Sequence, residues 1–152
     1  MTELVLDDFL PYRLSITSNL VSDAIARAYD VLFRLSITEW RLVAVVAETG
    51  GITQGDIGQR TRMDKVTVSR AAIALVERGL LAREANPSDR RSHRLVLTDA
   101  GRTLYAAIAP KAIELERRIF ASFSPDELAG FTAMLHRIEA VTLALEPPVH
   151  PR

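Results

Sequence analysis

The sequence predicts a mainly α fold carrying one small β-hairpin. Three observations predict it. Apolar residues recur at helical spacing over most of the chain. Two consecutive helical segments within 54–78 each follow a capping residue. One pair of β-like segments flanks a loop of turn formers at 86–93. With 152 residues, 48% of them hydrophobic, the chain can bury a core of its own, which argues against disorder or fibre.

Between 9 and 33, Leu10, Leu14, Leu20, Val21, Ile25, Ala28 and Leu32 fall mostly at helical spacing and predict one long helix with a break near Pro11. Thr38, before the acidic turn at Glu39 and the apolar run 42–47, reads as the N-cap of a second helix over 39–49, stopped by Gly50 and Gly51. Thr53 caps a short helix over 54–60, and Asp64 caps a longer one over 65–78 that ends at Gly79. Two helices joined by so short a turn make a helix-turn-helix. Segments 80–84 and 94–98 read as strands around the loop from Asn86 to His93, a hairpin that forms a wing.

Thr98 then caps a helix running from Asp99 to about Ser122, with a kink expected at Pro110. Ser124-Pro125-Asp126-Glu127 is a capping box with proline in the first helical position and opens the last helix. Its apolar positions Leu128, Phe131, Leu135, Ile138, Thr142 and Leu145 step by three and four, a narrow stripe that wants a partner helix. The proline-rich tail 147–152 reads as frayed. With no repeat and no long linker, the expectation is a single domain over 1–152, a winged helix-turn-helix over 35–98 set between helical arms at 9–34 and 99–146.

Charge adds a direction. The chain is neutral overall, with 19 basic and 19 acidic residues, yet segment 54–102 holds ten basic against six acidic, so the middle is positive and the flanks negative. A basic middle suits a partner rich in phosphate. The absence of cysteine excludes disulfides, thiolate metal sites and thiol redox sensing in this chain. The acidic opening residues and the lack of any long apolar run predict a soluble, cytoplasmic protein with no membrane partner.

Placing residues about 100° apart around the helix over 65–78 puts Val68, Ala71, Ala72 and Leu75 inward and Val66, Ser69, Arg70, Ile73 and Glu77 outward. Outward residues near the start of such a helix reach base edges in a major groove. Arg70 can bond guanine or grip phosphate, Thr67 and Ser69 can donate to phosphate, and Val66 can touch a thymine methyl, with Lys65 beside them. On the wing, Arg90, Arg91 and Arg94 crowd around Asp89, an arrangement that a narrow groove of DNA would receive. Asp89 is placed to orient the Arg91 guanidinium, leaving Arg90 and Arg94 to meet the DNA backbone.

These stretches, from Leu35-Ser36-Ile37-Thr38-Glu39-Trp40-Arg41-Leu42 through Val66-Thr67-Val68-Ser69-Arg70, Arg78-Gly79-Leu80, Asp89-Arg90-Arg91 and Leu97-Thr98-Asp99-Ala100-Gly101, resemble the MarR (multiple antibiotic resistance regulator) family in order and spacing. The resemblance implies a transcriptional regulator that binds double-stranded DNA as a homodimer built from its first and last helices, through Leu10, Leu14, Leu128, Phe131, Leu135, Ile138 and Leu145. It also implies that the Asp-x-Arg arginine, Arg91, enters the minor groove, and that repression is relieved by a small molecule. Aromatic carboxylates or their thioesters are the expected effectors, with Tyr12, Arg13, Trp40 and Arg41 on segments that line the ligand cleft. No cofactor or metal is expected. The three histidines, His93, His136 and His150, lie on wing, last helix and tail with no partner at short spacing, which argues against an enzyme. The rival reading is a winged helix that binds protein rather than DNA.

Overall fold

The computed structural model describes residues 2–145, so the tail read as frayed lies outside the described residues. A single 3-10 turn at Leu6–Asp8 leads into α1 (Leu10–Phe33), α2 (Ile37–Thr49), β1 (Ile52–Thr53), α3 (Gln54–Thr61), α4 (Lys65–Glu77), β2 (Leu81–Ala85), β3 (His93–Leu97), α5 (Asp99–Ile119) and α6 (Pro125–Ala144). This is the expected mainly α fold with a small β-wing. The chain divides into two compact units, Met1–Ile113 and Glu114–Arg152, with the boundary inside α5.

Local chemistry corrects several expected boundaries. Pro11 falls in the opening turn of α1, where an N–H would have no helical partner in any case, so no break occurs there. The cap of α2 is Ser36, not Thr38. The Glu39 amide donates to Ser36 Oγ and the Ser36 amide donates to Glu39 Oε1, both at 3.1 Å, a reciprocal box that starts the helix two residues earlier. Helix α5 stays helical through Pro110 and stops at Ile119, short of Ser122.

The end of α4 explains why both wing strands sit one residue from their expected places. Gly79 adopts a left-handed conformation (φ 71°), its amide donates to Val76 O at 2.9 Å, and the Leu80 amide donates to Leu75 O at 3.0 Å. That is a Schellman closure, and it commits the Leu80 N–H to the helix, so β2 begins at Leu81. His93, read as loop, opens β3 opposite Ala85. The two-residue β1 was missed because so short a segment shows no alternation. It joins the sheet in the order β1-β3-β2, with Ile52 opposite Leu95.

The core of the first unit is formed by Leu42, Val43 and Val46 of α2, Ile57 of α3, Val68, Ala72 and Leu75 of α4, and Leu81 and Leu95 of the sheet, all buried. Helix α4 is therefore held from behind by α2 and α3. Thr98 joins α5 to this body: its hydroxyl donates to Gly79 O at 2.6 Å and accepts from the Gly101 amide at 3.0 Å. Gly101 is buried so closely against the Leu80 carbonyl that a methyl group there would collide with it.

In the second unit Ser124 and Glu127 form the expected capping box at 3.1 and 3.0 Å. No residue of α6 is buried in the single chain: of its stripe Phe131 and Ile138 are exposed and Leu128 and Leu135 half-buried, and Met134 and Val141 stand exposed beside them.

Candidate nucleic-acid interface

Helix α4 is oriented by its cap. The Thr67 amide donates to Asp64 Oδ1 at 2.8 Å and the Thr67 hydroxyl donates to Asp64 Oδ2 at 2.7 Å. Those bonds, the backbone one foremost, hold the Asp64 carboxyl below its usual pKa. In the free chain the Thr67 hydroxyl proton is therefore given to Asp64.

The inward face of α4 is Val68, Ala71, Ala72 and Leu75, each buried as the periodicity required. The outward face presents Lys65, Val66, Arg70 and Ile73, with Ser69 half-buried between them. Val66 is 59% exposed, an apolar side chain held in water at the helix start by a body that is fully packed behind it. Lys65 and Arg70 have no side-chain hydrogen bond or ion pair among the described residues.

The wing is a stapled turn. Asn86 Nδ2 donates to Ser92 Oγ at 2.9 Å, the Ser88 amide to Asn86 Oδ1 at 3.1 Å, and the Arg91 amide to Asp89 Oδ1 at 2.9 Å. Asp89 thus fixes the backbone of Arg91 and not, as expected, its guanidinium. Such Asx bonding sets the turn and leaves the side chains of Arg90 and Arg91 exposed. Arg94 differs. It stands opposite Glu84 across the strands and donates to Glu84 Oε1 from Nε at 2.8 Å and from Nη2 at 2.6 Å, so the guanidinium expected at the DNA backbone is occupied on the protein.

Four residues marked for a small molecule do not gather in one chain. Trp40 is packed between Tyr29 and Tyr105, ring centroids 5.4 and 5.9 Å away, and burial pushes the Tyr29 hydroxyl pKa up. Arg41 is exposed next to it. Tyr12 and Arg13 lie seventeen and sixteen residues before Tyr29 on the same helix, about 25 Å along its axis.

Sequence reasoning missed Gln54, Arg83 and His93, which line a groove of about 530 Å³ between the start of α3 and the wing. Alternation puts Arg83 in phase with Leu81 and His93 in phase with Leu95, but only the cross-strand register and the position of α3 bring them to one groove.

A helix-turn-helix whose outward face carries unpaired cations, set beside an arginine-tipped hairpin, defines a winged helix-turn-helix DNA-binding regulator. The chain belongs to the MarR family: the family's sequence model matches residues 35–92. It is 31% identical over 129 residues to the HTH-type transcriptional regulator PecS of Dickeya dadantii, covering 81% of this chain and 78% of PecS. Among solved structures, a MarR/EmrR family regulator from Acinetobacter sp. ADP1 superposes with a TM-score of 0.86 at 22% identity, over 93% of this chain and 100% of that one. BpsR of Bordetella bronchiseptica, solved to explain regulation of its DNA binding by 6-hydroxynicotinic acid, superposes with a TM-score of 0.81 at 22% identity, over 91% and 98%. No helix among the described residues is long and apolar enough to cross a membrane.

Proposed function

We propose that this regulator is a cytoplasmic repressor that binds a palindromic operator as a homodimer and releases it on binding a small aromatic carboxylate or its thioester. The observation that carries the DNA-reading part is the outward face of α4, where Lys65, Val66, Ser69 and Arg70 project from a helix whose other side is fully packed. Arg70 reads a base edge, and Arg91 enters the adjacent minor groove with Arg90 at the backbone. Arg94 serves the wing through Glu84 and Thr67 serves the helix through Asp64.

The exposed α6 stripe, together with Leu10 and Leu14 of α1, supports the homodimer, because so long an apolar row costs too much to leave in water. The whole chain then works as one regulator, reader and dimer arms together. The effector reading rests on family and on BpsR, whose ligand is an aromatic acid. Since Tyr12 and Arg13 lie far from Trp40 and Arg41 within a chain, the homodimer would have to bring the two pairs together across protomers.

Selection of DNA fragments from a random pool tests the reading. A dyad-symmetric site with half-sites about one helical turn apart, 34 to 36 Å, is expected. No enrichment, or a site without a dyad, overturns it.

A further inference from the structure

We propose that the groove between the start of α3 and the wing holds one backbone phosphate of the bound operator, and that His93 gains a proton as the phosphate enters. This rests on the DNA-binding reading above and adds to it a contact and a pH dependence.

The sheet itself argues for the contact. On one face of the β2–β3 pair, Leu81 stands opposite Leu97, Arg83 opposite Leu95, and Ala85 opposite His93. Near the helices this face is core, with Leu81 and Leu95 buried. Toward the wing tip it becomes Arg83 and His93, both exposed, and looks into the groove lined by Gln54 and Asp56 of α3 and by Asp89 and Arg91 of the turn. Arg83 is exposed there and makes no hydrogen bond or ion pair among the described residues, so its guanidinium is free to meet an anion.

Charge then argues for the proton. The ionisable groups around the groove are Asp56 from α3, Arg83 from β2, Asp89 and Arg91 from the turn and His93 from β3, while β1 contributes only Thr53. In the free protein two guanidinium groups balance two carboxylates, so with neutral His93 the groove has no net charge. Protonation makes it +1. A phosphate placed there favours the imidazolium, as an opposite charge does for any titrating group, and histidine is the side chain that changes charge near neutral pH. The proton is therefore held more tightly in the complex than in free protein. By linkage, operator affinity is higher at low pH and declines as pH rises.

The test is operator binding by fluorescence anisotropy from pH 8 to pH 5.5 at fixed salt, for wild type, His93→Gln, His93→Lys and Arg83→Gln. Wild-type Kd is expected to fall about tenfold per groove over that range. His93→Gln should lose most of that slope and stay at the weak, high-pH level. His93→Lys should bind tightly with little slope, and Arg83→Gln should reduce the dependence of log Kd on log salt by about one per groove. Circular dichroism of each variant establishes that the fold is kept. A wild type that binds its operator with no pH slope, or a His93→Gln protein with the wild-type slope, overturns the proposal while the DNA-binding reading stands. Absence of operator binding at every pH removes the reading and the proposal together.

Discussion

Glu84 and Arg94 face each other across the two wing strands, with Arg94 Nη2 2.6 Å from Glu84 Oε1. The pair separates two arginines that look alike in the sequence. Arg94 is tied to the sheet, whereas Arg91 projects from the turn. Arg91→Ala should weaken operator binding by about 1 to 3 kcal/mol, and Arg94→Ala by less than about 1 kcal/mol at the same salt. Side-by-side anisotropy titrations decide it. Equal losses would mean that Arg94 leaves Glu84 for the DNA.

Gly101 fixes where α5 leaves the DNA-binding unit. A methyl group there meets the carbonyl oxygen of Leu80, which already accepts from the Thr98 amide at 3.1 Å and so cannot easily retreat. Gly101→Ala should destabilise the fold by about 3 kcal/mol, as overpacking against backbone does. Urea unfolding followed by circular dichroism measures this. A change below about 1 kcal/mol would show that the junction has more room.

Much of this architecture was legible because it is local. The caps at Thr53, Asp64 and Ser124 and the buried face of α4 follow from spacing alone. What escaped was set by partners distant in sequence or by competing local bonds. Glu84 and Arg94 are ten residues apart and meet only through strand register. Thr38 has the residue type of a cap, but the reciprocal bonds of Ser36 and Glu39 hold that place. The groove at Arg83 and His93 needs both the register and the position of α3, and neither is visible in a linear pattern.

Asp64 makes the start of α4 sensitive to acid. Its folded-state pKa lies below the unfolded value because Thr67 donates to the carboxylate from both amide and hydroxyl. Its stabilising contribution is therefore complete above about pH 4 and disappears as pH falls through the folded-state pKa. Asp64→Asn keeps a capping oxygen but has no proton to gain. Urea midpoints from pH 5 to pH 2.5 should fall more steeply for wild type than for Asp64→Asn, and parallel curves would contradict the assignment.

Arg78 joins the end of α4 to the corner between α1 and α2. Its guanidinium donates to Arg34 O at 2.9 Å and Phe33 O at 3.4 Å and lies 3.7 Å from Glu39. Arg78→Ala should cost about 1 kcal/mol, discounted for its exposure, and Arg78→Lys should recover only part, because one ammonium cannot reproduce the fork. Thermal unfolding of the two variants checks this, and full rescue by lysine would reduce the contact to charge alone.

If the outward face of α4 reads DNA sequence, as proposed, Arg70 is the side chain whose removal shows it. Binding of the selected operator and of an unrelated duplex should be titrated in parallel for wild type and Arg70→Ala. A loss of about 1 to 3 kcal/mol is expected on the operator, roughly 5- to 150-fold in Kd, with a much smaller change on the unrelated duplex. An Arg70→Ala protein that binds its operator as tightly as wild type would contradict it.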